Sequence, residues 1–227
     1  FDQVGEVNNN WITINWGDGS SAEAVKIKVL SSDADSNSAI VQMGTGTSSS
    51  WLPAGATHSY PDNGTYVIFW SSSSRASVHS DQAPNGGVWR NETLVRIGGD
   101  YIGNVSPVSA VPDTVSVQDN QTFTYQVNAT DANGDNLTYR WGQLNEFFKR
   151  DGTGSTDNFT MPTGMTLSPS GLIEWDVRDN VTCSGCTNND VVDNTTGNNL
   201  WVAVIMVEDR LDNGTVKSYI PIDFFFK

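Results

Sequence analysis

The sequence predicts an all-β chain folded into two β-sandwiches in tandem. Three observations support this prediction: the residue usage, the spacing of short apolar segments, and a break in the pattern near the middle of the 227 residues. Gly, Ser, Thr, Asn and Asp dominate, which is typical of short strands joined by frequent turns. No segment shows a sustained apolar period of 3.6 residues, so no long amphipathic helix is expected.

Short segments with alternating apolar residues recur along the chain. In residues 24–30 (AVKIKVL), Val25, Ile27 and Val29 share one face, while Lys26 and Lys28 point the other way. This period of two predicts a half-buried strand. Similar segments are residues 11–16, 39–43, 65–70, 92–97, 114–117, 123–129, 137–141, 172–177, 201–208 and 219–226. Many short strands separated by turn residues predict a sandwich or a barrel.

A domain boundary is expected in residues 98–112 (GGDYIGNVSPVSAVP). This segment follows an alternating strand, contains two prolines and has little apolar periodicity. The strand pattern restarts near Val115. The predicted units are residues 1–103 and 104–227, each of ordinary sandwich size.

The chain is strongly acidic, with a formal charge of −14 from 26 acidic and 12 basic residues. Such a surface repels phosphate backbones and anionic lipid, so neither nucleic acid nor a membrane surface is an expected partner. No run of about 18 apolar residues is present, so no membrane insertion is expected. Cations are the ligand class that this charge favours.

Asparagine-linked glycosylation sequons are abundant. The ten N-x-S/T sites exceed what the composition gives by chance, and all but Asn104 carry Thr. They are Asn63, Asn91, Asn104, Asn120, Asn128, Asn136, Asn158, Asn180, Asn194 and Asn213. We therefore expect a secreted, glycosylated protein, although accidental matches in an Asn- and Thr-rich chain remain the alternative. The N-terminus lacks the pattern of a signal peptide, which suggests a mature or trimmed chain.

The two cysteines, Cys183 and Cys186, form a C-x-x-C pair in a loop rich in Asn, Thr and Gly. A redox pair usually places its first cysteine at a helix N-terminus, and a zinc site would need two further ligands. A small structural disulfide is the preferred interpretation, with two free thiols as the alternative.

The second half resembles the cadherin-like, dystroglycan-type immunoglobulin (Ig) domains of bacterial and archaeal surface proteins. The matching segments are residues 123–139 (FTYQVNATDANGDNLTY), residues 161–175 (MPTGMTLSPSGLIEW), and residues 202–209 followed by Asn213-Gly214. This resemblance implies an Ig-like sandwich over residues 104–227. Trp175, between Ile173 and Val177, is expected in its core.

The first half resembles polycystic-kidney-disease-type (PKD) Ig-like domains. The matching segments are residues 16–20 (WGDGS), residues 58–60 (HSY) and residues 64–67 (GTYV). His58 is then expected to be structural rather than catalytic. The resemblance also implies two strands before the strand that leads into the Gly-Asp-Gly turn, whereas only ten residues precede Trp11. The first sandwich is therefore expected to lack a strand.

Sequence motifs of catalysis are missing. No G-x-S-x-G, H-E-x-x-H, phosphate-binding loop or dinucleotide fingerprint occurs, so we expect no enzyme and no required cofactor. The best ligand candidate is Asp131, Asn133 and Asp135 in one turn, together with Asp209, whose strand end the resemblance places nearby. These oxygens suit Ca²⁺; the alternative is a polar turn that caps its own backbone.

Eight tryptophans are many for this length. Trp16, Trp141, Trp175 and Trp201 fall at expected core positions. Trp11 and Trp51 lie in outward or loop-like settings and are expected either to be structural or to pack on sugars or a partner subunit.

Three function classes follow. The chain is a subunit of an extracellular fibre, an adhesive or carbohydrate-binding module with a Ca²⁺ option, or a passive spacer. The missing strand favours the fibre, in which copies assemble head-to-tail and an N-terminal donor strand bearing Phe1, Val4 and Val7 completes the first domain of another copy. The alternatives are that residues 1–7 fold back as their own domain's first strand, or that the true N-terminus has been removed.

Overall fold

The computed structural model describes residues 4–33, 38–72, 89–118, 121–143, 146, 161–162, 164–177 and 201–227. These residues are almost entirely strands and turns, and together they form two Ig-like units, which confirms the predicted fold class. Within these ranges, no helix is long and apolar enough to cross a membrane.

The described residues of the first half form six strands and a short 3-10 turn. The strands are β1 (Val7–Asn15), β2 (Glu23–Asp33), β3 (Ser38–Thr45), β4 (Leu52–Pro53), β5 (Gly64–Ser72) and β6 (Trp89–Ile97), and the turn is Gly99–Tyr101. They lie side by side in the order β6-β5-β1-β2-β3-β4. Strand β1 leads directly into the Gly-Asp-Gly turn, and no strand precedes it among the described residues, where the PKD-type resemblance implies two.

The second half contains nine described strands. They are β7 (Val108–Ser109), β8 (Thr114–Val115), β9 (Thr122–Gln126), β10 (Ala129–Thr130), β11 (Asn136–Trp141), β12 (Thr166–Leu167), β13 (Leu172–Asp176), β14 (Trp201–Arg210) and β15 (Val216–Phe226). One sheet is β11-β14-β15, with β8 parallel to the end of β15, and a second is β12-β13-β9. These two sheets enclose the larger core.

The core of the second half follows the alternation of β13, β14 and β15. Ile173 and Trp175 from β13 pack with Ile205 from β14 and with Phe224 and Phe226 from β15, and none is more than 2 % exposed. Removing this apolar area from water is the main stabilising term. The expected core position of Trp201 is likewise confirmed, and Trp141 is half-buried against the same cluster.

The core of the first half lies on the inner face of β1 and β2. Ile14, Trp16 and Val25 are buried there and are packed by Tyr60 and Trp70. His58 stacks on Trp16 with ring centroids 4.8 Å apart, and its Nε2 lies 2.7 Å from Asp18 Oδ2. The expected structural role of His58 beside the turn therefore fits its contacts.

The two halves share one sheet. Strand β15 of the second half pairs antiparallel with β6 of the first, with Tyr219 opposite Leu94. Asn91 donates from Nδ2 to Asp223 Oδ2 at 2.8 Å across this junction, and Tyr219 donates its hydroxyl proton to Glu92 Oε1 at 2.6 Å. The predicted boundary at residues 103/104 lies beyond the end of β6 and before β7.

Candidate functional site

Three aspartates of the second half lie close together at the end of β14, beside the segment that connects the two halves. Asp131 and Asp135 flank a tight turn, and Asp209 is the next-to-last residue of β14. One carboxylate oxygen from each lies within 4.8 Å of the others. The turn is shaped by Asp131 Oδ1, which accepts the backbone N–H groups of Asn133 at 2.8 Å and Asp135 at 3.1 Å. Gly134 has φ of 78°, a conformation that glycine adopts without a steric cost.

Asp209 is the fixed member of this acidic cluster. Its side chain is fully buried, and Oδ1 accepts the Ser218 backbone N–H at 2.5 Å and the Ser218 hydroxyl at 2.8 Å. Oδ2 accepts Nδ2 of Asn104 at 2.8 Å. Three donors compensate for the burial of this carboxylate.

Lys217 supplies a positive charge to the cluster. Its ammonium contacts Asp135 Oδ2, and its side chain is only 10 % exposed. The ladder between β14 and β15 places Asp209 opposite Ser218 and Arg210 opposite Val216, which leaves Lys217 as an extra residue. Such a β-bulge changes the direction of a side chain relative to a regular strand, and here the side chain reaches across β14 towards Asp135.

Asn133, one member of the predicted Ca²⁺ ligand set, makes its described contacts with the connecting segment. Its Oδ1 accepts the backbone N–H of Val105 at 2.7 Å, and its Nδ2 donates to the carbonyl of Gly103 at 3.1 Å. Asn133 thus fastens the connecting segment to the turn. Asn104, which the sequence marked only as a sequon, reaches the cluster through Asp209.

Two oxygens of this region are buried and have no hydrogen-bond donor among the residues that the structure describes. They are Oδ2 of Asp131 and Oδ1 of Asn104. Hard oxygen donors of this kind fit Ca²⁺, which takes six to eight oxygens. Asp131, Asp135, Asp209 and Asn104 would be the residues that hold it, and the Lys217 ammonium would have to give up its contact with Asp135.

The N-terminal segment is paired within its own chain. Gly5 donates its N–H to the Val29 carbonyl at 2.8 Å, and Val29 donates to the Glu6 carbonyl at 2.9 Å. Val7 lies opposite Lys28 in the ladder with β2. In the single chain, residues 5–7 therefore fold back onto their own domain, which was the stated alternative to donation. Val4 is 62 % exposed, and Phe1 lies outside the described residues.

The ladder between β1 and β2 is interrupted directly after this segment. Asn8 lies opposite Ile27, but the next described pair is Ile12 opposite Val25, so four steps along β1 match two along β2. This irregularity separates an N-terminal arm, residues 4–8, from the central part of β1. An open cleft of about 690 Å³ lies beside the arm and is bordered by Lys26 and residues 46–48.

The described sequons differ in exposure. Asn91 is 4 % exposed and its Nδ2 is hydrogen-bonded to Asp223, so we expect this site to carry no glycan in the folded chain. Asn104 is half-buried with its Nδ2 bonded to Asp209. The exposed sites are Asn63, Asn128, Asn136 and Asn213.

Several predicted features lie outside the described residues. They are the sequons Asn120, Asn158, Asn180 and Asn194, the pair Cys183 and Cys186, and the side chain of Trp11. Trp51 is described: its ring packs against Gly44, where a Cβ would lie 2.6 Å from the indole, and its Nε1 donates to Gln42 Oε1 at 3.1 Å.

Comparisons with known proteins give limited matches. Residues 106–201 match the family model He_PIG, described as "Putative Ig domain". No curated protein matches the chain. Among solved structures, the two tandem V-type regions of VCBP3, a v-region-containing chitin binding protein, share 13 % identity with a TM-score of 0.39, over 97 % of this chain and 88 % of that one.

Proposed function

We propose that this chain is a non-catalytic structural subunit of a secreted, glycosylated fibre, assembled head-to-tail by exchange of the N-terminal arm. One observation carries the proposal: the ladder between β1 and β2 breaks between Asn8 and Ile12, so the arm is a separate unit of pairing. The Ig-like class of both halves is typical of extracellular proteins and supports the expected location.

Arm exchange conserves the hydrogen bonds that hold the arm in the single chain. The arm makes main-chain bonds to Val29 and ladder pairs with Lys28 and Ile27, and an identical arm from another copy offers the same partners. The enthalpic cost of exchange is therefore small, as in other domain swaps. The irregularity after Asn8 is the natural hinge, because few ladder bonds must break for the arm to leave.

Exchange between copies produces an open assembly. Once the arm has left its own β2, it can pair with the vacant β2 of a second copy, whose arm pairs with a third. Such a one-way donation is a heterologous contact that continues from copy to copy.

A disulfide that locks the arm tests the proposal. Val7 and Lys28 are opposite residues of an antiparallel pair, whose Cα separation of about 4.5–5.5 Å suits a disulfide. In a background with Cys183→Ser and Cys186→Ser, we expect Val7→Cys/Lys28→Cys to remain monomeric when oxidised and to form fibres after reduction.

The matched control is a disulfide between two strands that do not move. Thr65 and Arg96 are opposite residues of β5 and β6, and Thr65→Cys/Arg96→Cys should assemble whether oxidised or reduced. Negative-stain microscopy and light scattering report the assembly. Fibres from the oxidised arm-locked chain, or a closed dimer from the reduced one, would contradict the proposal.

A second candidate is a Ca²⁺-dependent adhesive or carbohydrate-binding module. The observation that favours it is the pair of buried oxygens without donors, on Asp131 and Asn104, beside three carboxylates. A bound cation would tie the connecting segment to the end of β14. Calorimetric titration with Ca²⁺ tests this candidate: saturable binding that Asp131→Asn abolishes supports it, and the absence of heat at millimolar Ca²⁺ ends it.

A further inference from the structure

We propose that Lys217 and Asp135 form an intramolecular isopeptide bond, promoted by Asp131. The two side chains that would react are already in contact: the ammonium of Lys217 touches Asp135 Oδ2. The inference concerns a covalent modification of the second half and does not depend on fibre assembly.

The placement of Lys217 is built into the sheet. It is the extra residue of the bulge in β15, and its side chain passes Asp209 on the middle strand to meet Asp135 at the start of β11. At 10 % exposure the amine is largely out of water, the condition under which a lysine serves as a nucleophile.

The neighbouring carboxylates have different roles. Asp209 is held by three hydrogen-bond donors and acts as a fixed negative charge. Asp131 Oδ1 accepts two backbone N–H groups, but Oδ2 is buried and has no donor within the described part of the chain. Because one oxygen of Asp131 lies within 4.8 Å of one of Asp135, Asp131 is the group placed to accept a proton and return it.

The reaction balances without any co-reactant. The Lys217 ammonium passes one proton to Asp135 Oδ2, the oxygen that it touches, so that a neutral amine faces a neutral carboxyl group. The amine attacks Cγ of Asp135, a bond forms between Nζ and Cγ, and the bond between Cγ and Oδ2 breaks. Asp131 accepts one proton from the attacking nitrogen and returns it to the departing Oδ2 hydroxyl, so that one water leaves and an amide remains.

Positioning lowers the barrier to this condensation. Two groups held in contact react with effective molarities of about 10⁵–10⁸ M relative to the same groups free in solution. The product would join the turn before β11 to the last strand and close a covalent ring over residues 135–217. Such a cross-link would shield the intervening chain from tension applied through the C-terminal strand.

The experiment is mass spectrometry of the full 227-residue chain produced without glycosylation. We expect an intact mass about 18 Da below that of the sequence, after correction for any disulfide, and a tryptic peptide pair joined through Lys217 and Asp135. Lys217→Arg keeps the positive charge but should restore the full mass, whereas Lys28→Arg, the matched control, should leave the loss of water unchanged. Asp131→Asn should fold, by circular dichroism, yet show little or no cross-link.

A succinimide at Asp18-Gly19 would also lower the mass by one water. The cross-linked peptide pair distinguishes the two products, and the mass loss from a succinimide would persist in Lys217→Arg. A folded chain with the full mass, or a loss of water that maps to any other residue, would overturn the proposal.

Discussion

Replacing Tyr219 with phenylalanine removes one hydroxyl at the junction of the two halves. This hydroxyl donates to Glu92 Oε1 at 2.6 Å, and both residues are buried, at 8 % and 6 % exposure. A hydrogen bond to a charged acceptor contributes about 1.5–3 kcal/mol. Glu92 keeps its contact with Arg90, so it is not left unpaired, and we expect a loss of about 2 kcal/mol in the free energy of unfolding.

Urea denaturation followed by tryptophan fluorescence measures this loss. With a slope of about 2–3 kcal/mol/M, the midpoint should fall by about 0.7–1 M. The matched control is Tyr66→Phe, whose hydroxyl donates to the backbone carbonyl of Asp62 in an exposed turn at 2.8 Å. That change should cost about 0.5–1 kcal/mol. Equal shifts for the two variants would refute the argument that β15 and β6 are joined by a buried polar contact.

Further predictions concern pH, a turn glycine and the glycans. Burial, with smaller effects from Asp18 and Tyr66, raises the pKa of Tyr60 to about 12. The contribution of Tyr60 to the stability of the fold is therefore complete below about pH 10 and is lost as the pH rises through 12. Tyr60→Phe should flatten this fall of the melting temperature at alkaline pH. Hydrogen bonds from Ser20 and then His58 hold the pKa of Asp18 well below its ordinary value, so stability should fall with pH below about 4, and less so in Asp18→Asn. Gly17→Ala should lower the melting temperature more than Gly19→Ala, because both have positive φ but only Gly17 would bring a Cβ within 2.3 Å of the Val67 carbonyl oxygen. In a glycosylating host, Asn63→Gln should lower the intact mass by one glycan, whereas Asn91→Gln should leave it unchanged; loss of a glycan from Asn91→Gln would contradict the burial argument.

Strand positions could be predicted because burial imposes a period of two. Val25, Ile27 and Val29 alternate in the sequence and are all buried on one face of β2. Trp16 and Trp175 were expected in the cores for the same reason, since large aromatic side chains between alternating apolar residues rarely lie elsewhere.

The pairing between the halves could not be predicted. The contact between Tyr219 and Leu94 joins residues 125 positions apart, and no local pattern specifies which edge strands meet. The burial of Asn91 could not be predicted for the same reason: its sequon is local, but its burial depends on Asp223 in the last strand.

The acidic cluster was half predictable. Alternating Asp131, Asn133 and Asp135 indicate a turn rich in oxygen ligands, but the sequence cannot tell which side chains face inward. Asn133 turns to the connecting segment, and Lys217 enters through a bulge that has no sequence signature. The partner of a turn residue is set by strand register, which depends on the whole sheet.

A disulfide between two copies tests arm exchange most directly. One copy carries only Val7→Cys and a second, differently tagged copy carries only Lys28→Cys, both with Cys183→Ser and Cys186→Ser. After the two are mixed, allowed to assemble and oxidised, arm exchange predicts a disulfide-linked species of both tags at twice the chain mass of 24.6 kDa. A mixture that assembles into fibres but yields no such species would contradict the account, because the arm would then still be paired with its own β2.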